Sequence, residues 1–199
     1  MQGEEQGWEE LSGRDPVDVC DRAAVEYSEE SGYVVPVFGH PIVLDMKART
    51  MKGSSPEAEF LLTKAAYFSR LSILFYLLRA QRIAPTGRLL KPSELKSNQI
   101  YFTGSHLLPL EPIAARFSTD PEGFLAQAAR FGGESRQYGD AAVELLPFPR
   151  TPVVLILWLE DDEFSARCYM LFDEVCELQL PPDILWSVAM MCALVLLQK

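Results

Sequence analysis

Histidine is scarce in this chain: only His40 and His106 occur in 199 residues. That leaves little material for imidazole-based metal sites or for bases that activate a nucleophile. The four cysteines, Cys20, Cys168, Cys176 and Cys192, form no C-x-x-C pair, and their separations match no zinc or iron–sulfur pattern. Each lies among apolar neighbours, so buried free thiols are expected, and with them a reducing cytoplasm. G-x-S-x-G, G-x-x-x-x-G-K-[ST], G-x-G-x-x-G and H-E-x-x-H are all missing. Their absence excludes the familiar nucleophile elbow, phosphate loops and zinc-protease helix. There is no internal repeat and no low-complexity tract.

Long apolar runs are missing too. Phe60–Leu78 is interrupted by Lys64 and Arg70. Ile184–Gln198 has fifteen uncharged residues, short of the roughly twenty that span a bilayer. The first thirty residues are acidic, so no signal peptide is expected. Basic residues are in deficit, 18 against 28 acids, for a net charge of −10. Nucleic acid and anionic membranes repel such a chain, and neither is expected as a partner.

What is present is globular: 48% hydrophobic and 23% charged residues in a chain of single-domain size. The charge is unevenly spread. Residues 1–30 carry −8, residues 47–96 carry +7 and residues 97–199 carry −8. A basic stretch between acidic ones reads first as a solvated face paired with the N-terminus, and second as an anion-binding surface. Gly3, Gly7 and Gly13 between acids suggest a loosely ordered acidic arm over residues 1–14, followed by a single domain over 15–199.

Asp15-Pro16 caps a helix expected to run to about Ser28. Tyr33–Phe38 and Pro41–Met46 read as a hairpin about Gly39-His40, with Pro36 confined to an edge or bulge. Ser54-Ser55-Pro56-Glu57 opens a helix expected to reach Arg82. Residues 88–119 predict a helical turn at Pro92, a short strand at Ile100–Thr103 and a helix at Leu110–Phe117. Asp120-Pro121 caps the next helix, ended by Gly132-Gly133. Three strands follow: Ala141–Leu146, Val153–Leu159 and Ser165–Phe172. The middle one is an unbroken apolar run, expected to be covered on both faces. Asp161-Asp162-Glu163 turns the last two, and Pro181-Pro182-Asp183 leads into an apolar terminal helix. Strands segregate into runs. The expected fold is α+β: a largely antiparallel sheet of about five strands with helices packed on it, and one long central apolar helix.

Candidate chemistry is thin. Arg70 and Arg79 lie on the long helix, and a buried arginine there needs a carboxylate or an anion. With Tyr101 and His106, they are the candidate lining of a ligand pocket between helix and sheet. No catalytic or metal-binding residue is assigned. The acids Glu160–Glu163 lack the glycine and spaced ligands of a calcium loop. The terminal helix is apolar nearly all round and needs cover from its own domain or from a partner copy.

Several short motifs carry a resemblance. They are Phe75-Tyr76-Leu77-Leu78-Arg79-Ala80, Pro85-Thr86-Gly87 and Asp120-Pro121-Glu122-Gly123-Phe124-Leu125. Further along come Gly132-Gly133 through Gly139-Asp140-Ala141-Ala142, then Leu146-Pro147-Phe148-Pro149-Arg150-Thr151-Pro152-Val153. Leu157-Trp158, Asp162-Glu163-Phe164 and Leu171-Phe172-Asp173 complete the set. In this order and spacing the chain resembles the bacterial and archaeal domain of unknown function 3786, from about Trp8 to Leu185. The resemblance implies no established activity. It implies a setting in anaerobes, where some members are fused to a small iron–sulfur domain whose cysteine cluster this chain lacks. Members often carry a histidine where this chain has Phe75, and another where it reads Cys176-Glu177-Leu178-Gln179. Both absences count against histidine catalysis.

The leading expectation is a non-catalytic small-molecule-binding or accessory module beside redox or one-carbon metabolism, with an iron–sulfur or redox protein as possible partner. The alternatives are an enzyme of unknown reaction using the same pocket, and a homodimer built on the terminal helix. No cofactor is specified.

Overall fold

The computed structural model describes residues 2–95 and 107–198. Its elements are α1 (Gln2–Ser12), α2 (Pro16–Ala23), β1 (Glu26–Ser28), β2 (Gly32–Val37), β3 (His40–Asp45), β4 (Thr50–Gly53), α3 (Pro56–Thr63) and α4 (Ala66–Arg79). Then come β5 (Leu89–Leu90), α5 (Leu110–Arg116), α6 (Pro121–Ala129), β6 (Glu134–Arg136), β7 (Ala141–Leu145), β8 (Val153–Trp158), β9 (Arg167–Asp173), α7 (Cys176–Gln179) and α8 (Pro182–Leu197). A turn of 3-10 helix at Pro92–Glu94 follows β5. The fold is α+β with two antiparallel sheets rather than one: β1-β2-β3-β4, and β5-β9-β8-β7-β6.

The N-terminal stretch departs from expectation. Residues 2–12 are helical, and Trp8 and Leu11 are buried. The glycines there permit close packing rather than looseness. A Cβ on Gly7 would stand 3.1 Å from Leu74 Cδ1, so α1 lies tightly on α4. Helix α2 starts where Asp15 accepts from Val17 N–H. It stops early at Ala24, whose φ of 54° is left-handed and whose N–H bonds Cys20 O. Tyr27, expected on that helix, sits instead in β1 against Tyr33, ring centroids 4.8 Å apart.

The β2–β3 hairpin turns on Phe38-Gly39, one residue earlier than predicted, both with positive φ. That is the backbone of a primed turn. Pro36 sits in β2 past the end of β1, whose pairing stops at Val34, so its missing N–H leaves no gap in that ladder.

The expected long central helix is two helices. Ser55 caps α3 by accepting from Ala58 N–H, but α3 ends at Thr63, and α4 leaves at 97° to it. The corner is held by a buried hydrogen bond from the Ser69 hydroxyl to Leu61 O, 2.6 Å. No single helix among the described residues is long and apolar enough to cross a membrane. Helix α8 is covered within its own chain: Ile184, Leu185, Val188, Met191, Cys192 and Val195 are buried. Trp186 and Leu194 are partly buried, and Phe68 packs edge-on to Trp186.

Alternation splits the five-stranded sheet into unlike faces. Phe172, Val153 and Leu145 form one row across the strands, and Met170, Leu155 and Val143 the next. These inner rows join the helices in one continuous core. The opposite face carries Tyr169, Ile156, Ala142 and Arg136 in one row, then Leu171, Val154, Glu144 and Glu134. No residue of these outer rows belongs to that core. Strand β8 is covered on both sides at Val154, as its apolar run suggests, but its outer side opens along Ile156 and Trp158.

Candidate functional site

Three arginines of the basic stretch pair with the acidic N-terminus. Arg70 bonds Glu4 Oε1 through Nε at 2.9 Å and Nη2 at 2.5 Å. Arg79 Nη2 reaches Glu10 Oε2 at 3.3 Å, and Arg82 pairs with Asp21. The Arg70 guanidinium beside Glu4 holds that carboxyl below its usual range. Arg70 and Arg79 therefore fasten α4 to α1 and do not line the cleft described below. Tyr101 and His106 lie outside the described residues. His40 has a bracing position, with Nε2 2.8 Å from Arg130 O and Nδ1 3.0 Å from the Ser55 hydroxyl.

All four cysteines are free thiols. Burial pushes the Cys168 thiol up to about 12 and raises Cys176 and Cys192 as well. These three stay protonated at neutral pH and are poor nucleophiles. Among the described residues, no group of three or more His, Cys, Asp or Glu is placed to hold a metal ion.

A cleft of about 410 Å³ opens on the outer face of the five-stranded sheet. Its walls come from stretches far apart in sequence: Pro85 and Gly87, Tyr138, Leu146 to Pro152, and Asp173. Asp173 is buried at the end of β9 and organises one wall. Its Oδ2 accepts from Gly87 N–H at 2.6 Å, and its Oδ1 from Val175 N–H at 3.0 Å. The Thr86 hydroxyl adds a bond to Glu174 Oε1 at 3.1 Å. One carboxylate thus fixes the 85–87 turn on the sheet and satisfies the N–H of Val175, which burial would otherwise strand.

The opposite wall is fastened from below. Phe148 stacks on Tyr76 of α4 with centroids 4.5 Å apart and planes 9° from parallel. The Tyr76 hydroxyl donates to Ala23 O at 2.8 Å, and burial raises its pKa. Thr151, fully buried, accepts from Phe148 N–H at 3.1 Å. Arg150 Nε donates to Arg22 O at 2.8 Å. The loop that presents Leu146, Pro149 and Pro152 is pinned through its middle, at Phe148, Arg150 and Thr151.

The third wall is the turn at Tyr138-Gly139-Asp140. Gly139 has φ of +54°, and a Cβ there would meet Ile156 Cγ2 at 2.7 Å and Leu157 O at 2.8 Å. Only glycine combines that conformation with that approach. Asp140 Oδ2 then accepts from Leu159 N–H at 2.8 Å, tying the turn to the end of β8.

Chemically the cleft is apolar with few polar groups, the usual make-up of a small-molecule site. Leu89, Leu146, Val154 and three prolines supply the body. Arg136 is held by Glu144 at 2.8 Å and Glu134 at 3.1 Å.

The walls are built from the very motifs that carry the resemblance noted in the sequence. A family model for a domain of unknown function, number 3786, matches residues 15–194. The chain belongs to this family. No curated protein and no solved structure matches it. Within this DUF3786 chain, Tyr76, Phe148, Thr151 and Asp173 are thus first of all fasteners that shape one cleft.

Sequence reading looked for that cleft between helix and sheet and missed it. The signal was in β7 and β8, where apolar residues occupy both alternating sets. Such a strand either lies between two layers or leaves one apolar face for something else.

Proposed function

We propose that this DUF3786 chain is a non-catalytic binding module whose ligand is a small molecule seated in the cleft on the outer face of the five-stranded sheet. One observation carries the reading: separate turns, each tied to the fold by its own hydrogen bond or stacked ring, converge on one apolar cleft. Rigid walls of this kind lower the ordering cost of holding a ligand. The lining supports binding rather than turnover. Both oxygens of Asp173 are engaged by main-chain N–H groups, and Arg136 is engaged by two glutamates. Among the described residues, no histidine, cysteine or serine lines the cleft. The fitting ligand has an apolar body and one polar group. A setting beside redox or one-carbon metabolism in an anaerobe's cytoplasm is part of the proposal and rests on the family.

Native mass spectrometry of protein purified without oxygen, with an absorption spectrum of the same sample, tests for a retained ligand. Titration with 8-anilinonaphthalene-1-sulfonate, an apolar body bearing one anion, tests the cleft itself. Saturable fluorescence that Leu146→Asp abolishes supports the reading. A clean polypeptide mass together with dye binding indifferent to Leu146→Asp overturns it.

A further inference from the structure

The other end of the same sheet face has no part in the cleft. An antiparallel sheet with one face on a core normally turns polar residues to water on the other. Here Ile156, Trp158, Tyr169 and Leu171 occupy those positions. Trp158 is 44% exposed, Tyr169 43% and neighbouring Phe164 55%. Three large aromatic side chains left this open on one contiguous surface mark an interaction site rather than scattered exposure. Tryptophan, tyrosine and arginine are also the residue types that dominate protein interfaces. Arg167 stands in register with Trp158, its guanidinium 5.5 Å from the Phe164 ring.

The rim of this patch identifies what covers it. The turn joining β8 to β9 is Glu160-Asp161-Asp162-Glu163, all exposed. Asp161 is used locally: its Oδ1 accepts from the N–H groups of Glu163 and Phe164, at 2.8 and 2.7 Å. Those bonds hold its carboxyl below the usual range. Glu160, Asp162 and Glu163 make no ion pair among the described residues. An aromatic platform edged by unneutralised acids calls for apolar side chains flanked by cations. A second copy fits poorly. It brings another net charge of −10 against the same acidic turn.

We propose that this end of the outer face is a docking surface for a basic protein partner, which sets apolar side chains on Trp158, Ile156 and Tyr169 and lysine or arginine groups against residues 160–163. The site does not depend on the cleft's having a ligand.

The test uses the full chain and two fluorescein-labelled peptides of equal length, one alternating leucine with lysine, the other leucine with glutamate. Fluorescence anisotropy is read for wild type, the double variant Trp158→Ser/Tyr169→Ser, and the triple variant Glu160→Gln/Asp162→Asn/Glu163→Gln. The basic peptide binds wild type saturably. The aromatic variant loses about tenfold or more in affinity, the scale of an interface hot spot. The neutralised turn loses less and flattens the salt dependence. Trp158→Phe, which keeps an apolar ring, retains most of the binding and guards against a folding artefact. Leu146→Asp leaves peptide binding unchanged, which separates this surface from the cleft. Absence of saturable binding overturns the proposal. So does equal binding of the glutamate peptide, or binding of the lysine peptide that ignores the aromatic variant. Sedimentation that shows a dimer broken by Trp158→Ser overturns it in favour of a second copy.

Discussion

The two faces of the five-stranded sheet are built from the same strands and have opposite fates. On the inner face every row, from Cys168 to Phe172 and from Leu157 to Val153, is 8% exposed or less. On the outer face Val154 and Ala142 are closed over at 1%, but Leu146, Trp158 and Tyr169 are 39–44% exposed although apolar. Composition cannot separate the faces, since β8 reads Val-Val-Leu-Ile-Leu-Trp throughout. What separates them is the helical cover on one side. The difference teaches that hydrophobicity in a strand reports burial only when there is something for each face to be buried against. The other face keeps its free energy in reserve for a ligand or a partner.

The most forceful way to break this comparison is to cut side chains from adjacent positions of one strand. Leu155→Ala, on the inner face, should cost about 2–5 kcal/mol, because it removes transfer free energy and leaves a cavity. Ile156→Ala, one residue on and facing out, should cost roughly 1 kcal/mol or less, since water already reaches it. Urea unfolding midpoints measure both. Equal losses would mean that the outer face is covered in solution.

Asp173→Ala comes next. It leaves the buried N–H of Val175 unpaired, at a cost of roughly 1–3 kcal/mol, and releases the N–H of exposed Gly87 to water. A net loss of about 2–3 kcal/mol is expected, with faster proton exchange at those amides and loss of dye binding in the cleft. Asp173→Asn, which keeps one acceptor oxygen, should recover part of both. Unchanged exchange at Gly87 would show that the carboxylate does not organise that wall.

A smaller effect is expected at the turn between the two sites. Gly139→Ala places a Cβ against Ile156 and the Leu157 carbonyl at a left-handed φ. The conformational strain alone is about 1–2 kcal/mol. The turn must lift from the indole of Trp158, which lies 3.4 Å from that Cβ position. Iodide should then quench the tryptophan emission more strongly than in wild type.

Much of this fold was legible at its caps. Asp15-Pro16, Ser55-Pro56 and Asp120-Pro121 each start a helix as predicted, because an N-cap oxygen followed by proline is a local instruction. The three late strands were legible from the apolar run of the second, the alternation of the third and the turns between them. The corner between α3 and α4 was not. No glycine or proline marks Lys64-Ala65, and the hydrogen bond that holds it joins Ser69 to Leu61 in the tertiary structure. The N-terminal helix was misread because glycine signals looseness locally but close packing when another helix arrives. Arg70 and Arg79 were singled out as lining of a ligand pocket, whereas in the structure they pair with Glu4 and Glu10, carboxylates already in the chain. The cleft stayed hidden because its walls are joined by contacts between residues far apart in the chain, such as Gly87 with Asp173 and Tyr76 with Phe148. No spacing rule reaches so far.

The smallest predicted effect lies on the helical side and sharpens the contrast by leaving the outer face alone. Glu4 has its pKa lowered by the hydrogen bond from Arg70. A depressed carboxylate contributes stability that is present above its unfolded value of 4.5 and is lost as pH falls through the lower folded value. Both side chains keep some solvent contact, 30% for Arg70 and 13% for Glu4, so the pair is worth only roughly 0.5–1 kcal/mol. Glu4→Gln should therefore lower the unfolding free energy by about that amount at pH 7. The gap between the two proteins should narrow below pH 4.5 and close once Glu4 is protonated in the folded wild type. Dye binding in the cleft and peptide binding at Trp158 should be the same in both. A shift in either would mean that α1 and the outer face are coupled through α4 and Phe148, and that the two sides of the sheet do not act independently.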